Sequence, residues 1–431
     1  MRDLIGTRRF GPVWLAPGYT PWNASTSLLA SFITIGLLAF LAFIRPYLLN
    51  ANLDIPQDQQ GRILGTIGFF NEIASILLVA PIGALSDRIG RKPIYSLGFL
   101  WLAVGVFLYP VARTFPQFLT CALFVSVGVA AVGCMLAAVL ADTARDDSRG
   151  ALVGITGFCQ GLGALVFVLG LGRMPQRLSA SGMDAVAAGQ LTLGIAASLC
   201  LLTALICWVG LKSGLPEQVT KRASIKEVLQ IGLLAAKANP IIWYACMLQF
   251  VSFSDRIIIG EFFNARLQQS GIASGLTFAD AAAAAVKPYA IANSAGLVFA
   301  VIFGLMMDKI NRLKAGIFAM CIAGIGYFSG GFIGDPQSDW ITLVAMLLGI
   351  GQIGAIIASQ TVLGQEAPPE ARGAVFGLAG IAAALGVLFT TSVGGLLYDL
   401  VDKGAPFFLV GILNLSIMVF GLYCLLSRKA T

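Results

Sequence analysis

Long apolar stretches separated by short polar segments dominate the pattern of this chain. A membrane-spanning helix needs about 20 apolar residues, and twelve stretches reach roughly that length. Their approximate bounds are 27–49, 61–85, 94–112, 115–141, 151–172, 189–211, 241–264, 284–307, 314–334, 340–363, 373–397 and 405–427. The pattern predicts an all-α integral membrane protein with twelve transmembrane helices.

Basic residues are concentrated in alternate polar segments. An even number of spans puts both termini on one side of the membrane. The segments on that side, with the adjoining ends of the apolar runs, hold 19 of the 28 Lys and Arg residues, and the opposite segments hold 7. The other two, Arg45 and Arg256, lie inside apolar runs. Because cytoplasmic loops carry the excess of basic residues, both termini are predicted to be cytoplasmic. The expected location is the plasma membrane, which is the inner membrane in a Gram-negative host.

The polar segments divide the chain into four parts. Residues 1–26 contain three prolines and scattered charges, and they predict a cytoplasmic N-terminal tail. The longest internal polar segment, 213–240, separates an N-terminal group of six runs in 27–212 from a C-terminal group of six in 241–431. This segment is interpreted as a cytoplasmic linker that contains a short surface helix.

Composition excludes most other classes of protein. Hydrophobic residues make up 58% of the chain and charged residues 11%, whereas soluble proteins average about 25% charged residues. A soluble enzyme, a disordered protein and a nucleic-acid binder are therefore excluded, despite the net charge of +7. The chain has no histidine, and its eight cysteines fall inside apolar runs. Neither a metal site nor a cofactor is expected.

Two short motifs occur twice at nearly the same separation. The segment 83–92 reads Gly-Ala-Leu-Ser-Asp-Arg-Ile-Gly-Arg-Lys, and a related segment follows the eighth run, so that Asp87 and Asp308 are 221 residues apart. The triplet Arg-Gly-Ala opens the fifth and eleventh runs, and its arginines, Arg149 and Arg372, are 223 residues apart. The repeat indicates two pseudo-symmetric six-helix halves.

The segment 83–92 resembles the signature G-x-L-x-D-R-x-G-R-K that major facilitator superfamily (MFS) members carry between helices two and three. Segment 308–312 resembles its degenerate second copy, with Asn311 in place of a glycine. The resemblance covers the whole chain and implies the MFS fold and secondary transport by alternating access. It also implies a cytoplasmic latch that closes while the protein faces outward; the alternative is that these charges only set topology. The residues assigned to the latch are Asp87, Arg88, Arg91, Asp142, Arg149, Asp308, Arg312, Glu366 and Arg372.

Ionisable side chains at membrane depth are energetically expensive and are functional candidates. Glu72 lies near the centre of the second run and could gain and lose a proton; a fixed ion pair is the alternative. Arg45 and Arg256 favour an anionic group on the solute; the alternative is that Glu72, Asp255 or Glu261 neutralises them. The predicted substrate or proton pathway comprises Glu72, Arg45, Asp255, Arg256, Gln249, Gln160 and Asn293.

The expected function is secondary active transport of a small organic solute by a monomer coupled to protons, without enzymatic activity. One alternative is a multidrug or metabolite efflux antiporter. It is weakened because helix five reads Gly161-Leu162-Gly163 and lacks the proline of the antiporter motif G-P-x-x-G-G. The other is a transporter-like sensor, which would tolerate a charge-free midplane. Gln268-Gln269 resembles a sugar-porter motif but falls beyond the seventh run, so it is not assigned to the site.

Overall fold

The computed structural model describes residues 8–145, 148–215, 225–307, 310–333, 338–368 and 371–430. A small hairpin pairs strands β1 (Arg9–Phe10) and β2 (Val13–Trp14). The α-helices in this part of the chain are α1 Pro21–Ala51, α2 Gln60–Ile89, α3 Arg91–Leu108, α4 Phe115–Thr143, α5 Arg149–Leu171, α6 Met174–Ala180, α7 Ala185–Gly210, α8 Ile225–Ala238, α9 Pro240–Ile257, α10 Asn264–Ala273, α11 Phe278–Met307, α12 Arg312–Gly330, α13 Asp339–Glu366, α14 Arg372–Leu400 and α15 Ala405–Ala430.

Twelve spans within the described residues are long and apolar enough to cross a membrane. The short helices α6 and α8 add no span of their own, and α9 and α10 together form one span, Pro240–Ala273, joined by a π-helical segment at Ile258–Phe263. The predicted all-α architecture with twelve transmembrane helices is confirmed.

The helices form two compact units that repeat one packing plan. Unit 1 comprises Met1–Asp54 and Phe70–Thr220, and unit 2 comprises Ile55–Phe69 and Lys221–Thr431. In unit 1, α1 packs against α4, α5 and α7, and α3 packs against α4 and α7. In unit 2, α9 packs against α13, α14 and α15, and α12 packs against α13 and α15. These are equivalent pairs of helices, which confirms the pseudo-symmetric duplication.

Glycines at equivalent positions permit the tightest of these helix contacts. A Cβ atom added to Gly163 of α5 would lie 2.1 Å from the carbonyl oxygen of Phe32 in α1. A Cβ atom added to Gly386 of α14 would lie 2.1 Å from the carbonyl oxygen of Phe250 in α9. Small residues allow helix backbones to approach closely in membranes, so both contacts depend on glycine.

Residues 8–20 are ordered and pack against other residues of unit 1. Val13 and Leu15 are fully buried with Ala144 and Leu152, and Leu15 forms a β-bridge with Ala144. The hydroxyl of Ser148 accepts from the backbone N–H of Trp14 at 3.0 Å and donates to its carbonyl at 2.9 Å. The hairpin is therefore fixed to the connection between α4 and α5.

Helix α1 begins six residues before the apolar run that predicts it. The Thr20 side chain accepts from the Asn23 backbone N–H at 3.2 Å, and the Asn23 side chain accepts from the Thr20 N–H at 2.9 Å. This capping box, with Pro21 in the first helical position, satisfies the exposed N–H groups of the first turn. The polar residues of that turn hide the start of the helix from a hydropathy count.

Candidate functional site

Three predicted pathway residues of unit 1 lie within spans. Arg45 is in α1, Glu72 in α2 and Gln160 in α5, and each is half-buried. Arg45 precedes Pro46, whose ring nitrogen cannot donate to the carbonyl one turn earlier in α1. The backbone carbonyl one turn before Pro46 therefore lacks its usual helical N–H donor.

Glu72 has an equivalent residue in the second half of the chain. Asn293 follows it by 221 residues, the separation that also relates Asp87 to Asp308. Asn293 is half-buried in α11, and its side-chain amide donates to the carbonyl of Tyr289 at 2.9 Å. The two halves thus place a carboxyl group and a neutral amide at the same position of the repeat.

Unit 2 holds a basic and an acidic side chain in its seventh span, Pro240–Ala273. Arg256 is exposed, and its guanidinium carbon lies 4.6 Å from the centroid of the Phe253 ring. Glu261 lies in the π-helical segment and is only 6% exposed. Tyr289 of α11 is also buried. The structure therefore places two opposite charges in one span of unit 2.

A π-helical segment lies within the seventh span. It runs from Ile258 to Phe263 and contains Glu261, and π-helical insertions are frequent at functional sites. The predicted seventh run ends at residue 264, but the span continues through α10 to Ala273, so that prediction is wrong. Gln268 and Gln269 lie inside the extended helix and are buried.

Asp255 occupies a different face of α9 from its neighbour Arg256. Its side chain is fully buried, and Oδ1 accepts from the Asn414 amide of α15 at 2.9 Å. The Tyr327 hydroxyl of α12 donates to the backbone carbonyl of Asp255 at 3.2 Å. Gln249 is half-buried on the same helix. Asp255 therefore sits among helices of unit 2, while the guanidinium of Arg256 is accessible.

Asp399, at the end of α14, caps the start of α2. Its Oδ1 accepts from the Gly61 N–H at 2.8 Å and its Oδ2 from the Arg62 N–H at 2.7 Å. The Arg62 side chain also pairs with Oδ2 through Nε at 3.3 Å. A carboxylate satisfies the free N–H groups and the positive dipole at a helix N-terminus. Residues 60–69 of α2 belong to unit 2, so this contact is internal to that unit.

A polar network continues from the α2 cap, defined as Asp399 with the Gly61 and Arg62 N–H groups. Tyr398 donates to Gln269 Oε1 at 3.0 Å, and Gln269 Nε2 donates to Gln60 Oε1 at 2.9 Å. Burial and the nearby Arg266 guanidinium lower the pKa of Lys403, while neighbouring aspartates act in the opposite direction. The same end of unit 2 thus joins α2, α10 and α14 through side chains.

Three residues assigned to the latch meet in unit 1. Arg91 donates from Nη1 to Asp87 at 2.6 Å and from Nε to Asp142 at 3.1 Å, and it also contacts the Ser86 hydroxyl. Gly90 between α2 and α3 has a φ of +98°, a conformation that L side chains rarely adopt. The glycine therefore lets α3 start in the direction that points Arg91 back towards Asp87.

The remaining latch residues are more widely distributed. Arg88 is exposed, and Arg312 is half-buried in the first turn of α12. Glu366 accepts from the Asn239 side chain at 2.9 Å, and Arg372 donates to the Gly364 carbonyl at 3.3 Å. Asp308 lies outside the described residues, as does the side chain of Arg149.

Sequence reasoning missed Asp399 and its network. Asp399 lies two residues beyond the eleventh run, but the N–H groups that it accepts from belong to residues 61 and 62, and no local motif links the two segments. An acid four residues after the paired glycines Gly394-Gly395 is the only local signal.

The duplicated six-helix units, with charged groups inside their spans, define a polytopic membrane protein with the architecture of secondary transporters. The family model of the Major Facilitator Superfamily matches residues 26–380 and 277–431. This chain belongs to that superfamily.

Two curated relatives resemble the chain along most of its length. The magnetosome protein MamH of Paramagnetospirillum magneticum is 26% identical over 413 residues, covering 93% of this chain and 92% of the relative. The magnetosome protein MamZ of Magnetospirillum gryphiswaldense is 24% identical over 425 residues, covering 96% of this chain and 63% of the relative. This chain therefore spans under two thirds of the longer MamZ protein.

Solved structures share the fold. The nucleoside transporter NupG matches with a TM-score of 0.68 at 14% identity, covering 94% of this chain and 99% of that chain. A bacterial homologue of the human lysosomal transporter Spinster, in an inward-facing and occupied conformation, matches with a TM-score of 0.66 at 15% identity, covering 95% and 98%. At these identities the likeness establishes the fold alone.

Proposed function

We propose that this chain is a secondary active transporter that moves a small organic solute by alternating access, with protons as the coupling ion. The observation that carries the proposal is the pair of opposite charges, Arg256 and Glu261, that the seventh span of unit 2 holds within one membrane-spanning segment. Charges inside membrane spans are retained where they serve substrate or proton movement. The protein is proposed to act as a monomer embedded in the lipid bilayer.

The substrate is proposed to carry an anionic group. Arg256 presents an accessible guanidinium, and a guanidinium binds carboxylate or phosphate with two parallel hydrogen bonds. Arg45 and the neutral amides Gln160 and Asn293 are proposed to complete the pathway, with Gln249 contributing from α9. Glu261, five residues after Arg256 in the same span, limits the net positive charge, which favours a monoanionic group over a highly charged one.

Glu72 is proposed to carry a coupling proton. It is half-buried within α2, and its counterpart Asn293 is a neutral amide that cannot titrate. Only the first half of the repeat therefore offers an ionisable group at this position. We expect Glu72→Gln to retain exchange of solute across the membrane and to lose accumulation driven by a pH gradient.

Uptake into proteoliposomes tests these assignments. The purified chain is reconstituted and offered labelled mono- and dicarboxylates, nucleosides and neutral sugars, with and without an imposed pH gradient. The proposal predicts gradient-driven accumulation of an anionic solute in the wild type, loss of accumulation with retained exchange in Glu72→Gln, and normal uptake in Asp339→Asn, which changes an exposed acid. Binding without uptake of any compound would favour the transporter-like sensor.

A latch on the cytoplasmic side is proposed to close while the protein faces outward. With both termini cytoplasmic, the Asp87–Arg91–Asp142 cluster of unit 1 would belong to this latch. Arg88, Arg149, Asp308, Arg312, Glu366 and Arg372 are proposed to support the cytoplasmic closure.

The relatives suggest a place of action. MamH and MamZ are named as magnetosome proteins, and MamH aligns with this chain along nearly its whole length. We propose a magnetosome membrane as the location in a cell that makes magnetosomes, and the plasma membrane elsewhere. A fluorescent fusion expressed in Paramagnetospirillum magneticum should co-purify with isolated magnetosomes; an even signal over the cell envelope would contradict this.

A further inference from the structure

The Asp255–Asn414 pair leaves two buried oxygen atoms without a hydrogen-bond donor. Within the described residues, Asp255 Oδ2 and Asn414 Oδ1 are both buried and have no hydrogen-bond partner. Both residues are fully buried. Buried acceptors in native proteins are almost always satisfied, so these two oxygens call for a proton or a bound group between them.

The orientation of the Asn414 amide is fixed by its two donated bonds. One N–H of Nδ2 points to Asp255 Oδ1 at 2.9 Å, and the other points to the Val410 carbonyl at 2.9 Å. Turning the amide over would place its oxygen against two acceptors. Asn414 Oδ1 therefore needs a hydrogen-bond donor from another group. Within the pair, the remaining oxygen is Asp255 Oδ2, which can donate only if it carries a proton.

Charge compensation for an ionised Asp255 is missing as well. Among the described residues, no Lys or Arg forms an ion pair with its carboxyl group, and the guanidinium of the adjacent Arg256 is exposed. Of the helices packed around α9, α12 contributes the titratable Tyr327 and α15 contributes the neutral Asn414. The described contacts from α13 and α14 bring no charged group to the carboxyl. An isolated buried carboxylate is so costly that it takes up a proton instead.

We propose that Asp255 and Asn414 form a buried proton-binding site, in which Asp255 carries a proton on Oδ2 and is held as a neutral acid by the Asn414 amide. One proton supplies what both orphan oxygens lack: Oδ2 gains a hydrogen, and that hydrogen is available to Asn414 Oδ1. The acid and amide then exchange two hydrogen bonds. Sodium is the competing occupant, because the same two oxygens could bind a monovalent cation.

The site is distinct from the solute-binding residues proposed above. Asp255 contacts α12 and α15, whereas Arg256, one residue later, is accessible. Loss of the proton would leave a charge between α9 and α15, so proton release requires these helices to separate or to admit water. The assignment of this proton to transport coupling rests on the proposed function; the presence of the proton does not.

Infrared spectroscopy of the full chain tests the site directly. A protonated carboxylic acid has a C=O stretching band that a carboxylate lacks. The wild type at neutral pH should show such a band that Asp255→Asn removes. The matched control is Asp339→Asn, which changes an exposed carboxyl group and should leave the acid band unchanged. An unchanged acid band in Asp255→Asn would overturn the proposal.

Two further measurements cover the other outcomes. If Asp255→Asn does not fold, Asn414→Leu is used instead. Its acid band should move to higher frequency, because the C=O of the Asp255 carboxyl group loses the hydrogen bond from the Asn414 amide. A band at the wild-type frequency would count against the site. Thermal unfolding in NaCl and in choline chloride should give equal melting temperatures; stabilisation by sodium that Asp255→Asn abolishes would make this a cation site. If the acid band is present but the protein shows no proton-driven uptake, the proton site is supported and its role in transport coupling is refuted.

Discussion

Replacing Asp399 by alanine removes the cap from the first turn of α2. The carboxyl group accepts from two backbone N–H groups at 2.8 and 2.7 Å, and its side chain is 1% exposed. Water therefore cannot easily replace the lost acceptors in the folded state. The amides of Gly61 and Arg62 should become the least protected part of the α2–α14 contact.

The expected magnitude follows from three contributions. Loss of an N-cap side chain costs about 0.5–2 kcal/mol, and loss of a negative charge at a helix N-terminus costs about 0.3–1 kcal/mol. The ion pair with Arg62 adds about 0–1 kcal/mol, because the Arg62 side chain is 49% exposed. A total of about 2 kcal/mol corresponds to a roughly 30-fold change in an equilibrium constant.

Hydrogen–deuterium exchange of peptides that cover residues 58–66 measures this opening. Asp399→Ala should speed exchange of the Gly61 and Arg62 amides by about 30-fold, since local opening controls their protection. The matched control is Asp402→Ala, which removes an equal charge three residues further along the chain, from a carboxyl group that accepts from the Gly404 N–H at 2.7 Å and not from α2. Equal exchange in both variants and the wild type would refute the cap.

Three further changes test other parts of the structure. Gly386→Ala should lower the melting temperature in detergent through a clash worth about 1–3 kcal/mol, because its Cβ atom would lie 2.1 Å from a carbonyl oxygen of α9; Gly380→Ala, with open space around it, should not. Asp87→Asn should slow uptake at a nearly unchanged melting temperature, while Asp339→Asn should not, and an unchanged rate would leave Asp87 a topological signal. Val13→Asp should release the N-terminal hairpin, since burial of this side chain contributes about 1.5–3 kcal/mol; limited proteolysis that cleaves wild type and variant equally would contradict the docked hairpin.

The sequence predicts the helices well because each span is a local property of about 20 residues. Hydropathy identifies every span, and the repeated motifs around Asp87 and Arg149 reveal the duplication. The exact ends are less predictable. The first turn of α1 is stabilised by a polar capping box, and α10 contains Gln268 and Gln269, which are buried and hydrogen-bonded. Both lower the local hydropathy while forming helix.

The site depends on contacts between distant segments, which one sequence does not reveal. Asp399 binds backbone groups 337 and 338 residues away, and Asp255 pairs with Asn414 across 159 residues. Val13 and Leu15 look like part of a polar tail until Ala144 and Leu152 cover them. The membrane-depth charges are visible in the sequence, but which neighbour each one faces is a property of the fold.

Alternating access is tested most directly by the distance between two spin labels, one in each unit, on the side of the membrane predicted to be cytoplasmic. Labels replace Gly150 of unit 1 and Lys314 of unit 2, which are both exposed, and pulsed dipolar spectroscopy records their distances in reconstituted bilayers. The account predicts a short and a long distance, with the long one gaining population when Asp87→Asn weakens the cytoplasmic latch. A single distance that stays the same in wild type and variant, at every pH, would contradict it.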